Sequence, residues 1–216
     1  MGFYAYAKKY RDPEHMAAAY LREKFGNQPI HYPINPFALL RSEGVIFKLA
    51  DFHRLEGVYI PASNSEDIPI VGINSARPIT RQRYTAAHEL CHHFRDSDKE
   101  ISCPFNSQSS IEVFAERFAA ALLMPIAELK AQVDQRKNFR GYVSFDNVLE
   151  IADYFGVSFQ ACIFRIAYKI HAIDGDTEAD ALKKRISKYK PDIARKSKHL
   201  TYTELYAGQL RGATRV

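Results

Sequence analysis

Apolar residues recur at helical spacing from Glu14 to Phe25, where Met16, Ala19, Tyr20 and Phe25 mark a helix that Gly26 ends. Pro29, Pro33 and Pro36 then impose extended chain leading into a short helix at Phe37 to Arg41. Strand-type runs follow at Val45 to Leu49, Gly57 to Pro61 and Ile68 to Asn74, separated by turn-rich pieces. They predict a small, mostly antiparallel sheet. After Pro78 the pattern turns helical, with Thr80 as the expected N-cap of RQRYTAAHELCHHF. Another helix starts at Ser109 or Ser110 and runs through IEVFAERFAAALLM to Pro125, and two more are expected at Ser144 to Phe155 and Phe159 to Ile170. Beyond Ile173 the chain is polar and basic, and much of it is expected to be mobile. The order of elements predicts an α+β fold.

Composition fits an ordinary globular chain: 216 residues, 46% hydrophobic and 25% charged, enough for one substantial core and a small appendage. The N-terminus lacks the apolar run of a signal peptide. No stretch approaches the roughly 18 apolar residues of a membrane span, so a cytoplasmic protein with no membrane partner is expected. Cys91, Cys103 and Cys162 are an odd, scattered set without a CxxC pair, which argues against a disulfide framework and against a cysteine-based metal knuckle. The net charge of +5 resides in one place: from Ile166 onward eleven basic residues face six acidic ones, and the rest of the chain is formally neutral.

His88 and His92 lie four residues apart on a predicted helix, about 40° apart around its axis, so both imidazoles can reach one ion. Zinc is the natural metal for such ligands. Glu89 falls beside the pair, where its carboxylate reaches a water at the metal and takes its proton. A catalytic zinc needs a third protein ligand, and Asp98, Cys103 and Glu112 compete for that place. Asp98 has the spacing of a longer motif, but that motif needs a glycine where Arg95 stands. Glu112 is the better candidate. Its helix is apolar almost all round, and a buried carboxylate needs a compensating cation. The competing role for Glu112 is structural, a capping box with Ser109. Glu116 is a candidate for orienting a histidine ligand from outside, and Cys91 reads as a small core residue. Tyr84, Arg83 and His93 are candidate electrophiles that spacing cannot rank. The strand Ile70 to Asn74 is a candidate edge for pairing with an extended substrate.

RQRYTAAHELCHHF, EVFAERFAAALLMP and LEIADYFGVSFQACIFRI, with VGIN at 71–74, together resemble the ImmA/IrrE metallopeptidases of bacteria and their mobile elements over roughly residues 35 to 170. The resemblance implies a zincin-like core, a zinc held by His88, His92 and Glu112, and Glu89 as the catalytic acid/base. It also implies a partner substrate, a transcriptional repressor with a helix-turn-helix domain, whose cleavage controls stress-response or mobile-element genes. Cys91 departs from the family's usual glycine, and Glu116 from its usual asparagine. Residues 1–140 then form the peptidase domain, 141–172 a helix-turn-helix-like element packed on it, and 173–216 a basic tail.

Two other readings compete. The helix pair at 147–166, with Ala152, Gly156 and Val157 where close packing and a tight turn need them, could belong to a DNA-binding regulator assisted by the basic tail. Against this, the second helix begins Phe159-Gln160-Ala161 with no basic residue, and Arg165 stands at an apolar position of the motif; the pair reads better as a packing or substrate-docking element, with Arg165 and Lys169 expected on a solvated face. The protein could also sequester a partner without cutting it, although a pure binder has no need of Glu89.

Overall fold

The computed structural model describes residues 3–97, 101–104, 109–175, 178–196 and 214–215. Asp98, the side chain of Cys103 and most of the chain after Lys196 lie outside the described residues.

Helix α1 (Pro13–Phe25) starts where Asp12 accepts a hydrogen bond from the Glu14 N–H, and α2 (Pro36–Ser42) where Asn35 accepts from Phe37 and Ala38. Each has proline in its first turn, where the missing N–H costs nothing. Strands β1 (Ile46–Ala50), β2 (Leu55–Ile60) and β3 (Ile70–Asn74) lead into the long helix α3 (Ile79–Arg95). A short strand β4 (Ile101–Pro104) precedes α4 (Ser110–Leu123) and α5 (Ile126–Asp134). The helical part closes with α6 (Phe145–Phe155), α7 (Phe159–Arg165), which runs on into a wider turn at Ile166–Ile170, and α8 (Ala179–Lys196). Strand β5 (Thr214–Arg215) completes the sheet. The architecture is α+β, as the pattern predicts, with α5 an addition that the sequence reading did not identify.

The sheet runs β4-β2-β3-β1-β5. Pairing is antiparallel on the β2 side and parallel between β3, β1 and β5, so the sheet is mixed. The cause is topological: β1 and β2 run in opposite directions but are not neighbours, because residues 61–69 bring the chain back and β3 inserts between them. That insertion overturns the expectation that Ile70 to Asn74 is a free edge. Both sides of β3 are paired, and Val71 and Ile73 are fully buried.

Helix α3 packs against β2, β3, α2 and α4, and twelve of its seventeen residues are buried. A helix enclosed this far must satisfy its polar side chains inside the protein. Its N-cap is Pro78, two residues before the expected cap Thr80, which lies in the first turn. Arg83 is fully buried and donates to the carbonyls of Ile34, Phe155 and Gly156. It ties α3 to the turn between α6 and α7, and is therefore no electrophile.

That turn has helix-turn-helix form. Gly156 adopts a left-handed conformation at φ +63°, Ser158 caps α7, and Ala152 and Val157 are buried beside it. Arg165 is buried rather than solvated. It donates to the Met124 carbonyl and makes two bonds, at 2.9 and 2.7 Å, to Glu14 of α1, which Lys169 also reaches. Burial alone would raise the Glu14 pKa, but the two cations outweigh it and lower it. Breaking such a pair from one side costs about 3–5 kcal/mol, so Arg165 is a fixed tie between the ends of the fold.

Helix α8 places part of the region expected to be mobile, residues 179–196, against the fold. Leu182 and Ile186 are buried, and Tyr189 packs on Phe145 and Phe159. Among the described residues, no helix is long and apolar enough to cross a membrane.

Candidate metal centre

His88 and His92 sit one turn apart on the face of α3 that meets α4, and Glu112 comes to them from the first turn of α4. His88 Nε2 lies 3.1 Å from Glu112 Oε2, His92 Nε2 lies 3.3 Å from Glu112 Oε1, and the two Nε2 atoms are 3.0 Å apart. All three side chains are buried, and their ligand atoms lie within 4.8 Å of one another, so together they could hold a metal ion. Two imidazoles and a carboxylate are the donor types that suit a borderline divalent metal with an open coordination position. The geometry also separates the two roles weighed for Glu112. Ser109 Oγ accepts from the Glu112 N–H at 3.3 Å, so half of the capping box forms. The Glu112 carboxylate turns instead to the histidines.

Charge follows from this packing. Burial opposes the imidazolium of His92, but hydrogen bonds to Asp96 and Glu112 outweigh it and raise its pKa to about 9. For His88 burial wins and the pKa falls. Burial would raise the Glu112 carboxyl, yet the two histidines hold it down at about 2. The metal-free protein at pH 7 therefore carries one proton on His92, which an incoming metal must displace. Calorimetry in buffers of different ionisation heat should count about one proton released per metal at pH 7. Affinity should weaken as the pH falls below about 9, because the proton then competes better. Release of none would mean that His92 is already neutral.

Asp96 was not identified from the sequence. Its carboxylate lies 2.9 Å from His92 Nδ1, fixing the ring with Nε2 toward Glu112. The signal was the four-residue spacing from His92, easily passed over in an aspartate at a helix end. Glu116 occupies the wall of the site, where burial raises its pKa. The carboxylate hydrogen-bonded to His92 Nδ1 is that of Asp96.

A narrow cavity reaches two of the donors, His88 and Glu112, with Tyr84, Thr85, Glu89 and Glu116 among its other walls. Glu89 is fully buried, one residue on from His88. Strand β2 approaches it so closely that a Cβ on Gly57 would fall 2.3 Å from Glu89 Oε1 and 2.5 Å from Thr85 Cγ2. A β-branched threonine cannot swing aside cheaply, so glycine at 57 is what lets the strand lie against the carboxylate. Beside Gly57, Glu56 is buried between Arg77 and Arg81, with Nε atoms at 3.0 and 2.9 Å. Nothing local in the sequence marks these contacts, which arise only when β2 meets α3.

Of the three candidate electrophiles, Tyr84 alone lines the cavity, and its hydroxyl donates to the Glu116 carbonyl at 2.7 Å. His93 faces away, with Nδ1 3.2 Å from the Tyr59 hydroxyl and its ring against Tyr4. Cys91 is a core residue, its thiol pushed well up by burial.

Comparison with curated proteins finds no match. The model of the M78 peptidase family, described as an IrrE N-terminal-like domain, matches residues 47–167, from β1 to the turn after α7. That span is more than half of the 216 residues and takes in both helices of the His88, His92 and Glu112 cluster. The chain belongs to the M78 peptidase family, with a metallopeptidase domain of the IrrE/ImmA type.

Proposed function

We propose that the chain is a zinc-dependent endopeptidase that cuts a peptide bond in a partner protein, a transcriptional repressor with a helix-turn-helix domain. The observation that carries the catalytic part is the convergence of His88, His92 and Glu112 beside a cavity that Glu89 also lines. A metal held there supplies Lewis acidity, acidifying water and polarising a carbonyl. Glu89 takes the proton of the attacking water and delivers it to the leaving amine nitrogen. Asp96 keeps His92 in register, and Gly57 admits the strand that confines Glu89. The repressor as substrate rests on the resemblance to the ImmA/IrrE metallopeptidases. Such a substrate and the absence of a membrane-spanning helix among the described residues are in keeping with a cytoplasmic protein.

In this reading residues 1–140 are the catalytic unit, 141–172 a helical element packed on it, and 173–216 a basic appendage. The test is incubation of the zinc-loaded chain with purified helix-turn-helix regulators from the same genome. Mass spectrometry should find one regulator with a single new N-terminus. Intact regulators throughout, alongside cleavage of unrelated proteins, would replace the dedicated substrate with a general one.

One observation favours a second role in DNA binding. Helix α8 packs on α6 and α7 and exposes Lys183, Lys184, Lys188, Lys190, Arg195 and Lys196. A steep salt dependence of duplex binding with a sequence preference would support it, and weak, sequence-blind binding would leave only charge.

A further inference from the structure

The cavity at the metal centre does not end at Tyr84. Glu56, Arg81, Tyr84 and Glu116 are shared with a wider groove of about 1500 Å³, open to solvent, whose far wall is α7. Val157, Ala161 and Phe164 supply that wall, with Gln160 exposed beside them. Ala161 and Phe164 are only half-buried, although the opposite face of α7, with Phe159, Cys162 and Ile163, is in the core. Tyr168 extends the apolar face outward: it is 46% exposed and stacks on Phe164 with ring centroids 5.7 Å apart. Across the groove Arg81 lies over the Tyr84 ring at 5.4 Å, and Arg77 and Arg81 enclose Glu56.

The second helix of a helix-turn-helix unit presents the side chains of its N-terminal part to DNA. Here that part of α7 lines a groove continuous with the metal centre, and residues 157–164 include no cation to meet a phosphate. We propose that the helix-turn-helix-like element is the specificity wall of the peptidase: the groove between Tyr84 and α7 takes an apolar side chain, leucine, methionine or phenylalanine in size, of the polypeptide being cut. This rests on the endopeptidase reading. The occupant is the substrate chain because the groove opens into the cavity where its scissile bond must lie. The apolar part of the groove's lining is Val157, Ala161, Phe164 and Tyr84, beside the charged Glu56, Arg77, Arg81 and Glu116. A ring or branched aliphatic chain gains there what a charged side chain would lose on desolvation.

The test uses the full chain and a pool of fluorescein-labelled octapeptides, each fixing one position as leucine, phenylalanine, aspartate or lysine. Hydrolysis is followed with the zinc-loaded wild type, and binding by polarisation with zinc-loaded Glu89→Gln. Ala161→Arg and Phe164→Ser are each introduced into both, with zinc content and melting temperature confirming intact folds. The expected result is a preference for leucine or phenylalanine at one fixed distance from the cut, about tenfold weaker in either groove variant, the scale one apolar side chain commands in a pocket. Hydrolysis without an apolar preference, or with one the variants leave unchanged, overturns the groove and leaves the peptidase standing. Apolar-selective binding without hydrolysis keeps the groove and overturns the peptidase, and neither binding nor hydrolysis overturns the groove. A dimer that Ala161→Arg dissolves would assign the face to a second copy, also against the proposal.

Discussion

Glu89→Gln lowers turnover about a thousandfold while the protein still holds its metal, the scale expected for loss of a positioned general base. The substitution keeps the shape of a side chain packed tightly between α3 and β2, where a Cβ on Gly57 could not fit. It removes the ability to accept a proton and nothing else of consequence. Glu89 is not among the three donors that converge, so metal content should equal that of the wild type. The variant also separates enzyme from sequestering partner, since a protein that acts by binding alone would keep its full effect on its target. Turnover within a few-fold of the wild type would remove Glu89 from the chemistry.

Glu112→Ala has the second large effect, on metal rather than on turnover. Groups that merely orient a ligand are worth about 10–100-fold in metal affinity, so loss of a ligand should exceed about a hundredfold. The fold should survive. Alanine is the best helix former, and α4 stays against α3 through the Tyr84 bond to the Glu116 carbonyl and through buried Ala115, Phe118 and Ala119. His92 in the variant keeps Asp96 as its partner. Equilibrium dialysis against zinc, beside a thermal melt, checks both halves. Unchanged affinity would return the third-ligand position to Asp98 or Cys103.

The parts of the site legible in the sequence are those that the period or composition of a single helix reveals. His88, Glu89 and His92 are related by the period of α3, and Glu112 stood out because a carboxylate in an apolar helix needs a cation. Asp96 obeys the same period but sits where the helix ends, and polar residues are common there. Glu56, Gly57, Arg77 and Arg81 could not be read, because their roles exist only after β2 has crossed α3. The mistaken edge at β3 has the same origin: strand positions follow from periodicity, whereas the insertion of β3 between β2 and β1 is a property of the whole sheet. For α8, its many cations obscured Leu182, Ile186 and Tyr189, which suffice to pin one face. Arg165 misled for a physical reason as well. An arginine at an apolar position was read as solvated, when Glu14, far away in sequence, neutralises it inside the fold.

The most direct test of the metal centre is the X-ray absorption spectrum at the zinc edge of the chain loaded with one equivalent. The account predicts two imidazole nitrogens and carboxylate oxygen at about 2.0–2.2 Å and no sulfur. A sulfur neighbour at about 2.3 Å, or a zinc surrounded by water alone, would contradict it.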